Sequence, residues 1–123
     1  MQVGDQSPTD WAYLAGVIDS DGSISIVTQN SGRPQLQPRV SVVMSTEEPV
    51  RWIHETFPIG RFSKKWHEQR GVSPSGYRWR WGAYSFDGAW WICQGVLPYL
   101  RLKIDKAKEV IDLADLKREA EDV

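Results

Sequence analysis

The chain has 123 residues, of which 41% are hydrophobic and 25% are charged, and its net charge is −1. This length fits one domain with a core of its own, and the single cysteine excludes an intrachain disulfide. No signal peptide, membrane-length apolar run or zinc-type Cys/His spacing is visible, which predicts an intracellular protein and excludes a zinc module.

The charged residues are segregated along the chain. Residues 1–22 carry four acids and no base, residues 23–87 carry nine Lys or Arg against five Asp or Glu, and residues 88–123 carry six against seven. A local basic stripe matters more for binding phosphate than the overall charge does. The middle of the chain is therefore a candidate nucleic-acid interface.

The first predicted element is a helix from about Pro8 to Ser20. Ser7 suits the N-cap, Pro8 suits the first helical position, and Asp10 follows the cap by three residues. Ala12, Ala15 and Gly16 predict a face on which a second helix packs closely, backbone against backbone.

Two acids follow at the end of this helix. Asp19 and Asp21 lie where the helix dipole is negative, which is unfavourable for an acid by roughly 0.3–1 kcal/mol each. Such carboxylates attract a cation, and oxygen ligands are those that Mg2+ prefers. If two copies of the helix pair, their acids converge in a geometry that suits metal-assisted hydrolysis of a phosphodiester.

Alternating polar and apolar residues predict two hairpins. The first joins strands Ser23–Gln29 and Gln35–Met44, with Pro38 indicating an edge or a bulge. A helix capped by Ser45 or Thr46 follows and ends before Pro58. The second hairpin runs from Arg61 through a polar turn at 69–76 to the alternating run 77–81, whose tryptophans we assign to the core rather than to base stacking.

Two helices complete the predicted order. One runs from Gly88 to about Val96 with Asp87 as its N-cap, and the last runs from about Arg101 to Glu121. Cys93 is predicted to be a buried, inert thiol. The order αββαββα(α) predicts an α+β fold, with helices on one face of an antiparallel, concave sheet.

Residues 14–22, with the sequence LAGVIDSDG, resemble the signature of the LAGLIDADG homing endonucleases and differ from it at Val17 and Ser20. The strand directly after Gly22 also resembles that family. The resemblance extends over nearly the whole chain and implies one domain, 1–123, with a motif and dimer helix at 7–21, a DNA-binding sheet at 23–87 and C-terminal helices at 88–123.

The resemblance implies roles for particular residues. It places the metal-binding acid at Asp21, with the Gly22 carbonyl as a backbone ligand, and a lysine near the reaction at Lys103. Thr46 stands where relatives often carry Gln or Asn, so the network around the reacting water would differ. Asp19 ranks second as an acid and could instead cap the junction of paired helices, beside the interface residues Ala12, Ala15 and Gly16. The implied cofactor is Mg2+ or another divalent ion such as Mn2+, with Ca2+ supporting a non-cleaving state.

The strand alternation predicts one exposed, basic face for reading DNA. Gln suits adenine and Arg suits guanine in the major groove, and a one-residue slip in register would reverse the assignment. The predicted reading residues are Ser25, Val27, Gln29, Gln37, Arg39, Ser41, Arg61, Ser63, Lys65, His67, Arg78 and Arg80.

Together with these features, the resemblance implies a site-specific, metal-dependent DNA endonuclease that is encoded by a mobile intron or intein-like element. Members of the family with a single signature are homodimers, so the resemblance implies a homodimer on a long, near-palindromic site of double-stranded DNA. The expected place of action is the cytoplasm, nucleoid or organelle of the host element. Two alternatives remain: a DNA-binding regulator that does not cut, and an RNA-splicing maturase that uses the same basic sheet.

Overall fold

The computed structural model describes residues 4–30, 32–67 and 76–121, with only the backbone for 65–67. The elements in chain order are α1 (Pro8–Asp21), β1 (Gly22–Gln29), β2 (Gln35–Met44), α2 (Glu47–Thr56), β3 (Arg61–His67), β4 (Gly76–Ala83), α3 (Phe86–Val96), a 3-10 turn (Leu97–Tyr99) and α4 (Ile104–Glu121). None of the described helices is long and apolar enough to cross a membrane.

Helix α1 begins with the predicted capping box. The Asp10 N–H donates to Ser7 Oγ and the Ser7 N–H donates to Asp10 Oδ2, each at 3.1 Å. The helix ends one residue later than predicted, and β1 follows without a loop. A Cβ at Gly22 would lie 2.8 Å from Ile18 Cα and 2.9 Å from Ser41 O, so this junction has no room for a side chain. The close junction places the two acids of α1 at the edge of the sheet.

The four strands form one antiparallel sheet in the order β1-β2-β4-β3. Strand β2 is therefore internal, but its ladder with β4 covers only Val40–Met44. Pro38 lies beyond this ladder and pairs with Ile26 of β1 alone. The missing N–H of Pro38 thus breaks no pairing with β4, as expected for proline at an edge-like position.

One face of the sheet is covered by the helices. Val40, Val42 and Trp81 are fully buried there, and the Trp81 indole N–H donates to Ile59 O at 3.1 Å. The assignment of Trp81 to the core is confirmed, and Trp79 packs at the margin of the same core. The predicted α+β fold with helices on one sheet face is also confirmed.

The predicted start of α3 is wrong. Ser85, not Asp87, is the N-cap, because Ser85 Oγ accepts the N–H of Gly88 at 3.0 Å. Asp87 instead lies in the first turn, where a carboxylate favours the helix dipole, and it pairs with Arg118 of α4 at 3.1 Å.

The predicted start of α4 is also wrong. The helix begins at Ile104 rather than at Arg101, since residues 97–103 form a 3-10 turn and a loop. The predicted polar turn at 69–76 lies almost wholly outside the described residues.

Cys93 is buried in α3, as predicted. Burial raises the pKa of its thiol from an ordinary value near 9 to about 12. The reactive thiolate is therefore scarce at neutral pH, which fits an inert packing role.

Candidate nucleic-acid interface and metal site

The sheet face opposite the helices carries the predicted reading residues. Cross-strand partners share a face, and the register pairs Ser25 with Arg39 and Ser63 with Arg80. The same register carries the other eight positions onto that face, which we call the reading face; for Lys65 and His67 only the backbone is described. The alternation inferred from the sequence is therefore correct, whereas the DNA contacts of these residues remain a prediction.

The reading face is strongly basic. It carries Arg39, Arg61, Arg78 and Arg80, and no acid is found among its described side chains. Among the residues that the structure describes, none of these four arginines pairs with an acid. Their charge is available to an anionic partner such as a phosphate backbone.

A groove of about 730 Å³ opens on this face. Its basic lining comes from Arg39, Arg61 and Arg80, and Gln29 and Gln37 contribute amides. These are the residue types that read guanine and adenine in a major groove.

Tyr84 also lines the groove, and the prediction missed it. Its ring lies where a side chain at Gly82 would be, and the Arg39 guanidinium carbon lies 5.8 Å from its centroid. The same alternation, continued by one step past the end of β4, would have found it.

A second, smaller pocket contains the acid at the end of α1. It has a volume of about 270 Å³, and we call it the acid pocket. Its lining residues are Asp21, Val43, Met44, Ser45, Thr46 and Arg78. The predicted pair of Asp21 and Thr46 thus meets in one pocket, and Arg78, which we assigned only to the reading face, lies beside them.

The polar groups of this pocket suit a hard cation and its phosphate ligand. Asp21 is exposed, and Ser20 Oγ donates to its Oδ2 at 3.2 Å. Thr46 begins α2 without using its hydroxyl as a cap. The described part of the chain contains no cluster of three or more Asp, Glu, His or Cys. One chain therefore offers one carboxylate, and the rest of an oxygen shell must come from backbone, water, substrate or a second chain.

Lys103 does not line the acid pocket. Its Nζ donates to Asp19 O at 2.8 Å, so its ammonium lies at the last turn of α1. The Asp19 carboxylate accepts backbone N–H groups from residues 101–103 of its own chain. The structure thus brings Lys103 close to the acidic motif through Asp19, not through Asp21.

The outer side of α1 contains part of the predicted helix-pairing face. Ala12 and Gly16 are exposed, and a Cβ at Gly16 would meet nothing within 4 Å. Ala15 is fully buried in the core of its own chain, so the prediction that it lies at the interface is wrong. The helical repeat turns Ala15 by about 100° from Gly16, into the sheet.

The fold of this chain is similar to that of solved structures, whereas its sequence alone has no match. The sequence matches no family model, and no curated protein matches it. The structure resembles I-CvuI in complex with a target, in the presence of Mg and with its DNA not cleaved, at a TM-score of 0.72 and 21% identity. The match covers 87% of this chain and 66% of that chain.

Other solved homing endonucleases share the arrangement. The archaeal intron-encoded I-Vdi141I with DNA matches at a TM-score of 0.65 and 18% identity, over 87% of this chain and 67% of that chain. This chain has the LAGLIDADG homing endonuclease fold. Group I intron-encoded I-CeuI with DNA matches at a TM-score of 0.69 and 17% identity, over 97% of this chain and 58% of that chain.

The family resemblance predicted from residues 14–22 is thus confirmed at the level of the fold. The chain spans about two thirds of the length of I-CvuI and less of I-CeuI. Both were solved with DNA, so the LAGLIDADG fold is one that DNA-bound homing endonucleases use. A second I-CvuI structure was obtained with Ca instead of Mg.

Proposed function

We propose that this protein is a metal-dependent DNA endonuclease that acts as a homodimer on a long, near-palindromic site. The single observation that carries the proposal is the acid pocket, which places Asp21 beside Thr46 and Arg78 at the margin of a basic sheet face. A pure DNA-binding surface has no need for an exposed carboxylate next to the phosphates that it binds.

The reading face supplies the affinity for DNA. Its arginines neutralise phosphates and release counterions, while the glutamines and arginines of the groove contact base edges. A strand of eight residues such as β1 spans roughly 26 Å. Two copies related by a two-fold axis would therefore read two half-sites with mirrored sequences.

The acid pocket supplies the chemistry. Asp21 would hold a divalent cation such as Mg2+, and a bound cation would stabilise the charge that develops at the phosphate during hydrolysis. The Arg78 guanidinium binds a phosphate oxygen, and the Thr46 hydroxyl orients a water for attack on phosphorus. The attack forms a bond between the water oxygen and phosphorus and breaks the bond between phosphorus and the leaving sugar oxygen. The attacking water loses a proton to solvent, and the leaving sugar oxygen takes a proton from solvent.

Two features support the proposed homodimer: the number of acids that one chain offers to the pocket, and the exposed strip on α1. One described chain offers one acid to the pocket, and the exposed strip of Ala12 and Gly16 allows two α1 helices to approach closely. Two copies then bring two Asp21 carboxylates together, one for each DNA strand. The place of action would be the compartment that holds the target DNA, such as the nucleoid or an organelle of the host element.

The test is a randomised duplex library incubated with the full chain and either Mg2+ or EDTA, followed by sequencing of the new ends. We expect ends that require Mg2+ and cluster at one near-palindromic sequence, and that are lost in Asp21→Asn but kept in Asp112→Asn. Asp112 is an exposed acid on α4 that does not line the pocket. Asp112→Asn removes the same charge as Asp21→Asn. Cleavage by Asp21→Asn at the wild-type rate would refute the proposal.

The alternatives give different outcomes, the first in the same assay and the second in a parallel assay with intron RNA. Enrichment of one bound sequence with no new ends in Mg2+ would indicate a regulator that does not cut. Retention of intron RNA with duplex DNA ignored would indicate a maturase.

A further inference from the structure

Asp19 connects two segments that are more than 80 residues apart in sequence. Its carboxylate accepts the backbone N–H groups of Arg101 at 2.7 Å, Leu102 at 3.2 Å and Lys103 at 3.1 Å. Its own backbone carbonyl accepts the Lys103 ammonium at 2.8 Å. One residue of the motif thus binds both the backbone and the side chain of Lys103.

Both halves of this contact are electrostatically favourable. Three N–H groups that precede α4 converge on one carboxylate, and hydrogen bonds to an ionised acceptor are shorter and stronger than neutral ones. At the other end, the last carbonyls of α1 have no partner within the helix, and a cation satisfies them best. The unfavourable place of Asp19 at the negative end of α1 is offset by these three donors.

Few other contacts fix the loop at residues 101–103. Leu102 is 77% exposed and Arg101 is exposed, so neither residue is anchored in the core. Leu100 is buried, and its N–H donates to Val96 O, which fixes only the start of the loop. From Arg101 to Lys103, the described hydrogen bonds that come from outside the loop and α4 all end on Asp19.

We infer that Asp19 is a positioning residue that holds the Lys103 ammonium at its own backbone carbonyl, two residues before Asp21 in the chain. This inference rests on the proposed endonuclease function, in which an ammonium close to the cleaved phosphate stabilises its developing charge. Asp19 does not touch the DNA in this role. It sets where Lys103 lies, and loss of its carboxylate releases both the loop and the ammonium.

A double-mutant cycle separates positioning from general stabilisation of the fold. The variants are Asp19→Asn, Lys103→Met, the double variant and the matched control Asp112→Asn. Single-turnover cleavage in Mg2+ and DNA affinity in Ca2+ are measured on the full chain. Asp19→Asn should lower the cleavage rate constant roughly ten- to a hundredfold, the scale of a misplaced group, with affinity within about twofold of wild type.

The decisive quantity is the rate of the double variant. If Asp19 acts through Lys103, the double variant should cleave within about threefold of Lys103→Met alone. Losses that multiply would overturn the inference, because Asp19 would then act independently of Lys103. Should Asp19→Asn fail to fold, Asp19→Ser, which keeps a weaker oxygen acceptor, takes its place in the cycle.

A second readout does not depend on cleavage. Acetylation of lysines, followed by mass spectrometry, should modify Lys103 several-fold faster in Asp19→Asn than in wild type, while exposed Lys108 reacts at an unchanged rate. Unchanged protection of Lys103 would overturn the inference. If the wild-type chain cuts no DNA but Asp19→Asn still exposes Lys103, the proposed function fails while the anchor by Asp19 stands.

Discussion

Asp19 and Asp21 lie two residues apart at the end of α1, and their carboxylates have opposite surroundings. The Asp19 carboxylate accepts three backbone N–H groups of its own chain, whereas the Asp21 carboxylate is exposed in the acid pocket and, among the described residues, accepts a hydrogen bond only from Ser20. The carboxylate of Asp19 therefore stabilises the fold, whereas the carboxylate of Asp21 is available to bind a cation.

We expect Asp21→Asn to reduce Mg2+-dependent cleavage by about a hundredfold or more, since a metal ion contributes several kcal/mol to the stabilisation of the transition state. Binding of target DNA in EDTA should be unchanged or slightly tighter because a negative charge near phosphate is removed. Single-turnover cleavage and fluorescence anisotropy measure the two effects. A parallel loss of binding would show that Asp21 supports the structure rather than the chemistry.

The two faces of the sheet should respond differently to loss of a cation. Arg80 lies on the reading face, and Lys64 on the opposite face, where its Nζ lies 4.6 Å from the centroid of the Tyr77 ring. Arg80→Ala should weaken DNA binding and reduce the slope of log K against log salt by about one. Lys64→Ala is the control and should leave the slope unchanged. If both variants reduce the slope equally, the assignment of Arg80 to the DNA-binding face is wrong.

An arginine on the outer side of α1 should prevent pairing without unfolding the chain. Gly16→Arg introduces a side chain where a Cβ meets nothing within 4 Å in one chain. Sedimentation velocity should show a monomer, whereas Ala120→Arg, an exposed alanine of α4, should remain dimeric. A dimeric Gly16→Arg variant would mean that the two copies pair through another surface.

The buried indole of Trp81 should contribute more to stability than that of Trp79. Trp81→Phe removes the hydrogen bond to Ile59 O and leaves that carbonyl without this donor, at a cost of about 1–3 kcal/mol in the free energy of unfolding. Trp79 is only half-buried, so Trp79→Phe should cost less than about 1 kcal/mol. Urea denaturation followed by circular dichroism compares them.

Cys93 should make stability depend on alkaline pH. Its thiol has a pKa of about 12 in the folded chain, above the ordinary value near 9 that holds after unfolding. Between about pH 9 and 12 the unfolded state loses this proton and the folded state keeps it, so the contribution to stability is full below pH 9 and lost as pH rises to 12. Urea denaturation at pH 8 and pH 10.5 should show this loss in wild type and a smaller loss in Cys93→Ala.

Local spacing in the sequence determined most of the fold and one of the two candidate sites. Side chains alternate strictly along a strand, so the position of Val40 on the core face also fixes Arg39 on the opposite face. The capping box at Ser7 and Asp10 is likewise local, because its partners are three residues apart.

Only the tertiary structure decided which distant elements meet. The start of α4 at Ile104 depends on Asp19, a residue far away in the sequence. The Asp19 carboxylate accepts the backbone N–H of Lys103, the residue directly before the helix. Arg78 enters the acid pocket because β4 lies beside β2, a pairing between strands that are not consecutive. Sequence periodicity orients a residue within its own element, whereas these contacts depend on how elements far apart in the chain pack together.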